Sequence, residues 1–414
     1  GQVEYRQYES GKEVQKRVGS GHAGEFFGEL ALLNEERRRA TVVAKTDVKV
    51  LVMGREDFSL ILGSLQNLQK EREEGVVAKA KEEEVALPAE AGRASAIRRV
   101  NIPLEELTPI SVLGRGAFGQ VWLVSHAKTN RTFALKKMIK SDIVQNGLEE
   151  HVLNEFNVMR DIDHPFILKL YNAYVDDKHV SFLLDACLGG ELFTILRGRG
   201  RFREATARFF AATVTVVFQY IHKMNIIYRD LKPENLLLDN EGFLIVVDFG
   251  LAKLVVDRTF TLCGTPEYLS PEVIRSGGHN KGVDWWTLGI LLFEMLAGYT
   301  PFYCEDAMKV YQKVLDGQIF FPSHFSRPAR EVIRKLLHRR SDMRIGNLVG
   351  GAEDLKKQLF FSSIDFQALE NRELRPPITP SVRGIDDTSN FKKLKPQDQN
   401  VEKNFDWNPT FSFF

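Results

Sequence analysis

Between Leu113 and Gly250 the chain carries glycine, lysine, carboxylate and amide residues in a fixed order, and any fold it adopts has to gather them. Leu113 to Val121 reads LGRGAFGQV, so that Gly114, Gly116 and Gly119 form G-x-G-x-x-G. Lys136 follows in FALKK, Glu155 lies on a helix-patterned stretch, and Tyr228 to Asn235 reads YRDLKPEN. Asp248-Phe249-Gly250 comes 13 residues after Asn235. The glycine spacing alone is weak, since dinucleotide-binding folds share it. Here, however, strand-like Val121 to Val124 follows the glycines where a dinucleotide fold would have a helix.

That difference favours a β-hairpin lid, in which glycine lets backbone N–H groups reach phosphate oxygens with no Cβ in the way. Lys136 sits on an expected strand, where a lone buried ammonium is costly. Glu155 is its natural partner, which leaves the lysine poised to hold α- and β-phosphates. Asn235 and Asp248 flank a short hairpin and offer acceptor oxygens to a hard cation such as Mg2+. Asp230 is then free to orient a hydroxyl and take its proton, and Lys232 to neutralise a phosphoryl group in transit. The whole ordered set matches the protein-kinase signature and implies ATP as the phosphoryl donor.

Charge and composition exclude other classes. Lys plus Arg number 56 and Asp plus Glu 55, a net charge of +1 that gives no reason to expect attraction to nucleic acid or an anionic membrane. Cys187, Cys263 and Cys304 are too scattered for a disulfide framework or a zinc site, which suits a cytoplasmic setting. No apolar run reaches the roughly 18 residues of a membrane span. The longest, Leu288 to Leu296, contains Glu294 and reads as a buried helix. The opening at Gly1, with no charged-then-apolar leader, reads as a fragment or a processed chain.

The expected fold is α+β: a bilobal kinase, with a small β-rich lobe carrying one main helix and a large helical lobe, preceded by a truncated β-barrel. Residues 1–53 alternate in strand fashion; a helical pattern runs from Arg55 to about Leu87, and 88–102 reads as a linker. The boundaries placed on this pattern are 1–70 for the partial barrel, 71–103 for a charged linker, 104–361 for the kinase and 362–414 for a tail. The small lobe takes 104–185 and the large lobe 186–361.

Beyond the shared signature, TFTLCGTPEYL, GVDWWTLGILLFEMLAGYTPF and DDTSNF closely resemble the AGC group of kinases, and within it the cyclic-nucleotide-dependent ones. RDLKPEN resembles the serine/threonine form. The resemblance implies an adenine pocket lined by Leu113, Val121, Ala134, Leu184, Cys187 and Leu237, with hinge hydrogen bonds from the backbone of Asp185 and Cys187. It implies a phosphate on Thr261, added by an upstream kinase and met by Arg229, His151 and Lys253; the bland alternative is an unmodified surface threonine. Glu191, Glu234 and Glu294 match positions that hold arginines upstream of a target serine or threonine, and Leu262, Pro266 and Leu269 match a pocket for the residue after it. The usual Ala-Pro-Glu stands here as Ser270-Pro271-Glu272, with Arg344 a candidate partner for Glu272. Phe391 resembles a tail aromatic that reaches the ATP pocket, although Lys392 and Lys393 follow where acidic residues are usual. The terminal Phe411 to Phe414 resembles an F-x-x-F tail that folds back beside the Glu155 helix.

FGELALLNEERRRATV, from Phe27 to Val42, resembles the phosphate cassette of cyclic-nucleotide-binding domains. By that likeness Gly28 and the following helix start offer N–H groups, Glu29 takes the ribose 2′-OH, and Arg38 neutralises the cyclic phosphate. Arg37 and Arg39 replace the residues usual on either side, so cGMP and cAMP both stay open. The order of regulatory domain, linker and kinase resembles the cGMP-dependent kinases. RRVNI, Arg98 to Ile102, is either a substrate mimic with Asn101 in place of the hydroxyl residue or a plain tether into the small lobe. Two other classes remain: a pseudokinase, and a cyclic-nucleotide sensor scaffold.

Overall fold

Residues 3–8, 15–21, 41–46, 102–116, 119–255, 258–259, 264–395 and 411 are described by the computed structural model of the chain, which divides into two units. In the first unit β1 (Val3–Tyr8) lies between β2 (Gln15–Gly21) and β3 (Thr41–Ala44), antiparallel to both. The register shifts between Tyr5 and Arg6, an irregularity of the kind that bends a strand toward barrel curvature. The sheet does not close among the described residues. The helix expected from Arg55 and the linker up to Asn101 lie outside them, as do Gly28, Glu29 and Arg38.

The second unit opens with a five-stranded antiparallel sheet. Its strands are β4 (Leu107–Gly116), β5 (Gly119–His126), β6 (Arg131–Ile139), β7 (Leu170–Val175) and β8 (His179–Asp185), in the order β4-β5-β6-β8-β7. Pro109 falls on β4, an edge strand, where its missing N–H costs no ladder bond. The two short helices after β6 are α1 (Lys140–Gln145) and α2 (Glu149–Asp161). Val152, Glu155, Phe156, Val158 and Met159 form the buried face of α2, and Phe156 meets Phe182 of β8 at 6.0 Å between ring centroids. Glu149 and Glu150 in its first turn and Arg160 in its last complement the helix dipole.

The large lobe is built on α3 (Leu192–Arg199), α4 (Glu204–Lys223), α5 (Gly282–Ala297), α6 (Ala307–Asp316) and α7 (Arg327–Leu336). Helix α5 is buried along nearly its whole length, which is why its sequence is apolar all round. Two short antiparallel pairs precede α5: β9 (Ile226–Ile227) with β12 (Lys253–Leu254), and β10 (Leu236–Leu238) with β11 (Leu244–Val246). No helix among the described residues is long and apolar enough to cross a membrane.

The tail runs back over both lobes. Asn390 Nδ2 donates to Leu188 O at 2.9 Å, Thr132 Oγ1 to Ile385 O at 2.7 Å, and Arg115 Nη2 to Lys395 O at 2.7 Å. Leu394 pairs with Val112 on β4. Phe411 is buried, with Lys140 Nζ of α1 5.6 Å from its ring centroid; Phe414 lies outside the described residues.

Arg344 ties the loop after α7 to Glu272 of Ser270-Pro271-Glu272. Its side chain is fully buried; Nη1 and Nη2 donate to the two Glu272 oxygens at 2.7 and 3.0 Å. Its remaining donors reach Gly282 O and His338 O, and its guanidinium lies 5.2 Å from the Trp286 ring centroid. Burial pushes the Glu272 carboxyl up, but the Arg344 pair outweighs it and holds it below the usual carboxylate range. Removing one partner strands the other charge in the interior. Arg344→Ala is therefore expected to destabilise the large lobe by about 3–5 kcal/mol in urea unfolding; a loss under ~1 kcal/mol would mean that the pair carries little of the lobe's stability.

Candidate functional site

The glycine hairpin joins β4 to β5, and its three glycines have different reasons to be there. A Cβ on Gly119 would fall 1.8 Å from Lys137 O of the neighbouring strand, so this position is closed by the protein's own packing. A Cβ on Gly114 or Gly116 would meet nothing within 4 Å. The fold leaves open space at those two positions, as a cradle for a phosphate chain requires.

Lys136 is central on β6, paired with Val121 and Phe182 on its two neighbours. Its Nζ donates to both Glu155 oxygens, at 2.6 and 2.8 Å, which ties the sheet to α2. Burial alone would lower the Lys136 pKa, but the carboxylates of Glu155 and then Asp248 outweigh it and raise the value. The ammonium is therefore held charged and close to Asp248.

The catalytic-loop residues are fixed from behind. Tyr228 N and Arg229 N donate to the two oxygens of Asp284 at 3.0 and 2.8 Å, and His222 Nε2 lies 2.7 Å from Asp284 Oδ2. Asp284 is fully buried on α5. Tyr228 Oη donates to Val247 O at 2.5 Å, and the Tyr228 ring meets buried Phe249 edge-on at 5.1 Å. Between these supports Arg229 and Asp248 take φ of 69° and 60°, a left-handed conformation that costs a non-glycine residue of order 1 kcal/mol and clusters at functional loops.

Asp230 is 8% exposed. Its Oδ2 accepts from Lys232 Nζ and from Asn235 Nδ2, each at 2.8 Å. Asn235 Nδ2 also donates to Asp230 O at 2.9 Å, so the amide presents its oxygen as the atom suited to a cation. Burial raises the Asp230 pKa above the ordinary value, against the lowering pull of Lys232 and Asn235. Asp248 adds to the rise, which places its carboxylate close by. One amide oxygen and one carboxylate beside a charged lysine suit a metal-bound triphosphate.

The adenine-pocket candidates fall on both lobes: Leu113, Val121 and Ala134 on β4, β5 and β6, Leu184 at the end of β8, Cys187 in the hinge, and Leu237 on β10. Asp185 N donates to Lys169 O at 3.1 Å, so toward a ligand this residue can act only as an acceptor. Gly189 N to Leu238 O and Leu238 N to Gly190 O, both 2.9 Å, fasten the hinge to the large lobe.

The remaining candidates divide. Thr261 and Leu262 lie outside the described residues. Arg229 Nε donates to Leu251 O at 2.7 Å, while its buried Nη1 has no hydrogen-bond partner among the described residues. Arg229 and Lys253 both act on buried His279, whose pKa burial and then Arg229 push down to about 4. His151 and Lys253 are exposed. Pro266 is exposed and Leu269 buried. Glu234 is exposed and Glu191 half-buried, accepting from Thr194 Oγ1 at 3.2 Å. Glu294 is only 2% exposed and already accepts from Arg197 Nη2 at 3.0 Å and from Tyr268 Oη. Glu234 and Glu267 both act on it and on Tyr268, which brings three carboxylates together against the single Arg197.

Sequence reasoning missed Glu267, Arg197 and Asp284. The signal for Asp284 was present: a carboxylate near the start of an otherwise apolar helical run, in GVDWWTLGILLF, has to serve a buried purpose.

Residues 107–361 match the protein kinase domain and residues 1–64 the cyclic nucleotide-binding domain. The chain belongs to the protein kinase family. Its catalytic-loop and activation-segment motifs are those of a serine/threonine kinase. It is similar to the human cAMP-dependent protein kinase catalytic subunit PRKX, at 45% identity over 71% of this chain and 82% of the relative. It is 47% identical to the cAMP-dependent protein kinase catalytic subunit of Dictyostelium discoideum, over 70% of this chain and 45% of the relative. Over 96% of its length it is 39% identical to human cGMP-dependent protein kinase 2, of which it spans 55%. The kinase thus spans about half the length of two of these relatives.

The raised Asp230 pKa has a kinetic consequence. A carboxylate has to be ionised to accept a proton, so the expectation that Asp230 is the proton acceptor predicts a rate that falls as pH drops through that pKa, with the acid limb of kcat/KM above the ordinary carboxylate value of about 3.9. Lys232→Met removes a lowering influence and is expected to lower the rate and move the acid limb to higher pH; a limb that stays in place would separate Asp230 from the observed titration.

Proposed function

We propose that the kinase transfers the γ-phosphoryl group of ATP to serine or threonine in proteins with basic residues upstream of the acceptor, and that in a longer parent a cyclic nucleotide controls it. The observations that support the reading are the Lys136–Glu155 pair, the Asp230–Lys232–Asn235 cluster, and the influence of Asp248 on both Lys136 and Asp230. We assign 104–361 to the kinase, 362–414 to the tail, 1–70 to the partial regulatory domain and 71–103 to the linker.

Lys136 holds the α- and β-phosphates, and Glu155 keeps its ammonium in place. Asn235 and Asp248 would hold Mg2+, which would neutralise charge on the triphosphate when bound. Asp230 accepts a hydrogen bond from the substrate hydroxyl and takes its proton as the phosphoryl group leaves ATP. Lys232 faces the charge that develops in the loose transition state. Leu113, Val121, Ala134, Leu184, Cys187 and Leu237 enclose adenine, with hydrogen bonds from the hinge backbone at Asp185 and Cys187.

Glu191, Glu234 and Glu294 select arginines of the substrate, with Glu267 adding to the field, and Leu262, Pro266 and Leu269 receive the residue after the acceptor. Because Glu294 is occupied by Arg197, exposed Glu234 is the more direct contact. Arg229 Nη1, buried with no hydrogen-bond partner among the described residues, supports a phosphate on Thr261, placed there by an upstream kinase and shared with His151 and Lys253. Gly28, Glu29 and Arg38 are assigned to the cyclic nucleotide, with cGMP favoured by the order of domains.

The test is radiolabelled transfer from ATP to a serine peptide with arginines two and three residues upstream, with cGMP, cAMP or neither. The wild-type chain is expected to label it. Glu234→Ala is expected to raise the peptide KM by about 10–100-fold, the worth of a charge-assisted hydrogen bond, with kcat largely kept. Phosphatase treatment that strips Thr261 is expected to lower the rate. Equal use of an arginine-free peptide would refute the substrate class, and stimulation by one nucleotide would identify the effector.

A further inference from the structure

The linker enters the small lobe at Ile102, and what it touches there leads to the hinge. Ile102 is 1% exposed and lies in one buried cluster with Leu107, Val124, Phe133, Leu135, Tyr171 and Leu183. Its carbonyl accepts from Tyr174 Oη at 2.7 Å and Asn172 Nδ2 at 3.5 Å, so β7 holds both its side chain and its backbone. Four residues on, Glu106 faces His126 Nε2 at 3.0 Å and pairs with Lys128. A chain merely passing over the surface would not bury an isoleucine and saturate its carbonyl.

Tyr171 belongs to the same cluster and reaches out of it. Its ring meets Phe133 edge-on at 5.2 Å. Its hydroxyl donates to Asp185 Oδ1 at 2.7 Å and accepts from Arg131 Nη2 at 2.9 Å. The Arg131 guanidinium lies 4.9 and 5.2 Å from the ring centroids of Phe133 and Tyr171. Asp185 is the last residue of β8, where the chain turns into the hinge. The side chain of Asp185 is thus held by a tyrosine that packs in the same cluster as the anchored linker residue.

We propose that Ile102 is an anchor through which the linker sets the ATP affinity of the kinase, acting on the hinge by way of Tyr171 and Asp185. When Ile102 is seated, the cluster fixes the Tyr171 ring and its hydroxyl holds Asp185. When Ile102 is withdrawn, Tyr171 gains freedom and the hinge loses a support. Seating also decides between the two readings of RRVNI: Ile102 cannot fill the pocket for a residue after the acceptor while it is buried in the small-lobe sheet. The anchored tether and the substrate mimic are mutually exclusive states of one segment.

The inference rests on ATP binding at the hinge, so the test measures direct binding of MgATP to the full chain by calorimetry beside steady-state kinetics. Ile102→Ala and Tyr171→Phe are each expected to weaken ATP binding and raise its KM by about 5-fold or more, with kcat at saturating ATP retained. The double variant is expected to bind ATP no more weakly than the worse single one, since both changes break one path. Folded variants with wild-type ATP affinity, or effects that multiply in the double variant, would overturn the proposal. A purely structural anchor would lower the melting temperature and leave the ATP affinity unchanged. If Ile102→Ala does not fold, Ile102→Val and Tyr174→Phe replace it, and unchanged ATP affinity in both overturns the proposal equally. A wild-type chain that binds no MgATP would refute the proposed function itself.

Discussion

A single buried carboxylate holds the catalytic loop to the helix on which the large lobe is built. Asp284 receives the backbone N–H groups of Tyr228 and Arg229 and faces His222 Nε2. A carboxylate out of water needs its lone pairs filled, and the loop needs its N–H groups satisfied while Arg229 bends into a left-handed conformation. Each demand answers the other. Asp230, Lys232 and Asn235 follow directly on the tethered backbone.

The opposite wall of the site is set by a different charge pair. Lys136 is central on β6 and meets Glu155 on α2, so sheet and helix are joined at the point where phosphates are expected. Asp248 contributes to the charge on Lys136 and to the raised pKa of Asp230, so its carboxylate acts on both. The tail crosses the same region, fastened at Leu188 in the hinge and at Val112 and Arg115 on β4. Ile102 is buried in one cluster with residues of the small-lobe sheet. The tail thus bears on the hinge and the glycine hairpin, while Ile102 packs in one cluster with Tyr171, whose hydroxyl donates to Asp185.

Much of this was legible in the sequence, for reasons that differ by residue. The strands from Leu107 to Asp185 show as apolar runs between turns, and α2 as a periodic face with Glu155 on it, because both patterns are local. The residues proposed to react show because a metal-bound triphosphate would demand particular groups in order. Asp284, Arg197 and the link from Tyr171 to Asp185 do not show, because each depends on a partner far away in sequence. Lys392 and Lys393 pointed away from a tail contact at the nucleotide site; the tail instead reaches the glycine strand through the backbone of Leu394 and Lys395, which side-chain identity does not reveal. Buried Glu294, taken from resemblance as an arginine contact, carries an internal partner in Arg197 that no motif announces.

The central claim is that Asp230 acts on the substrate hydroxyl and has no part in holding ATP. The most direct measurement is phosphoryl transfer by Asp230→Ala compared with its affinity for MgATP. Loss of nearly all transfer, at least about 10³-fold, with nucleotide affinity kept within a few-fold, is the predicted result. Substantial turnover in that variant would contradict the account and would require another group to orient the hydroxyl.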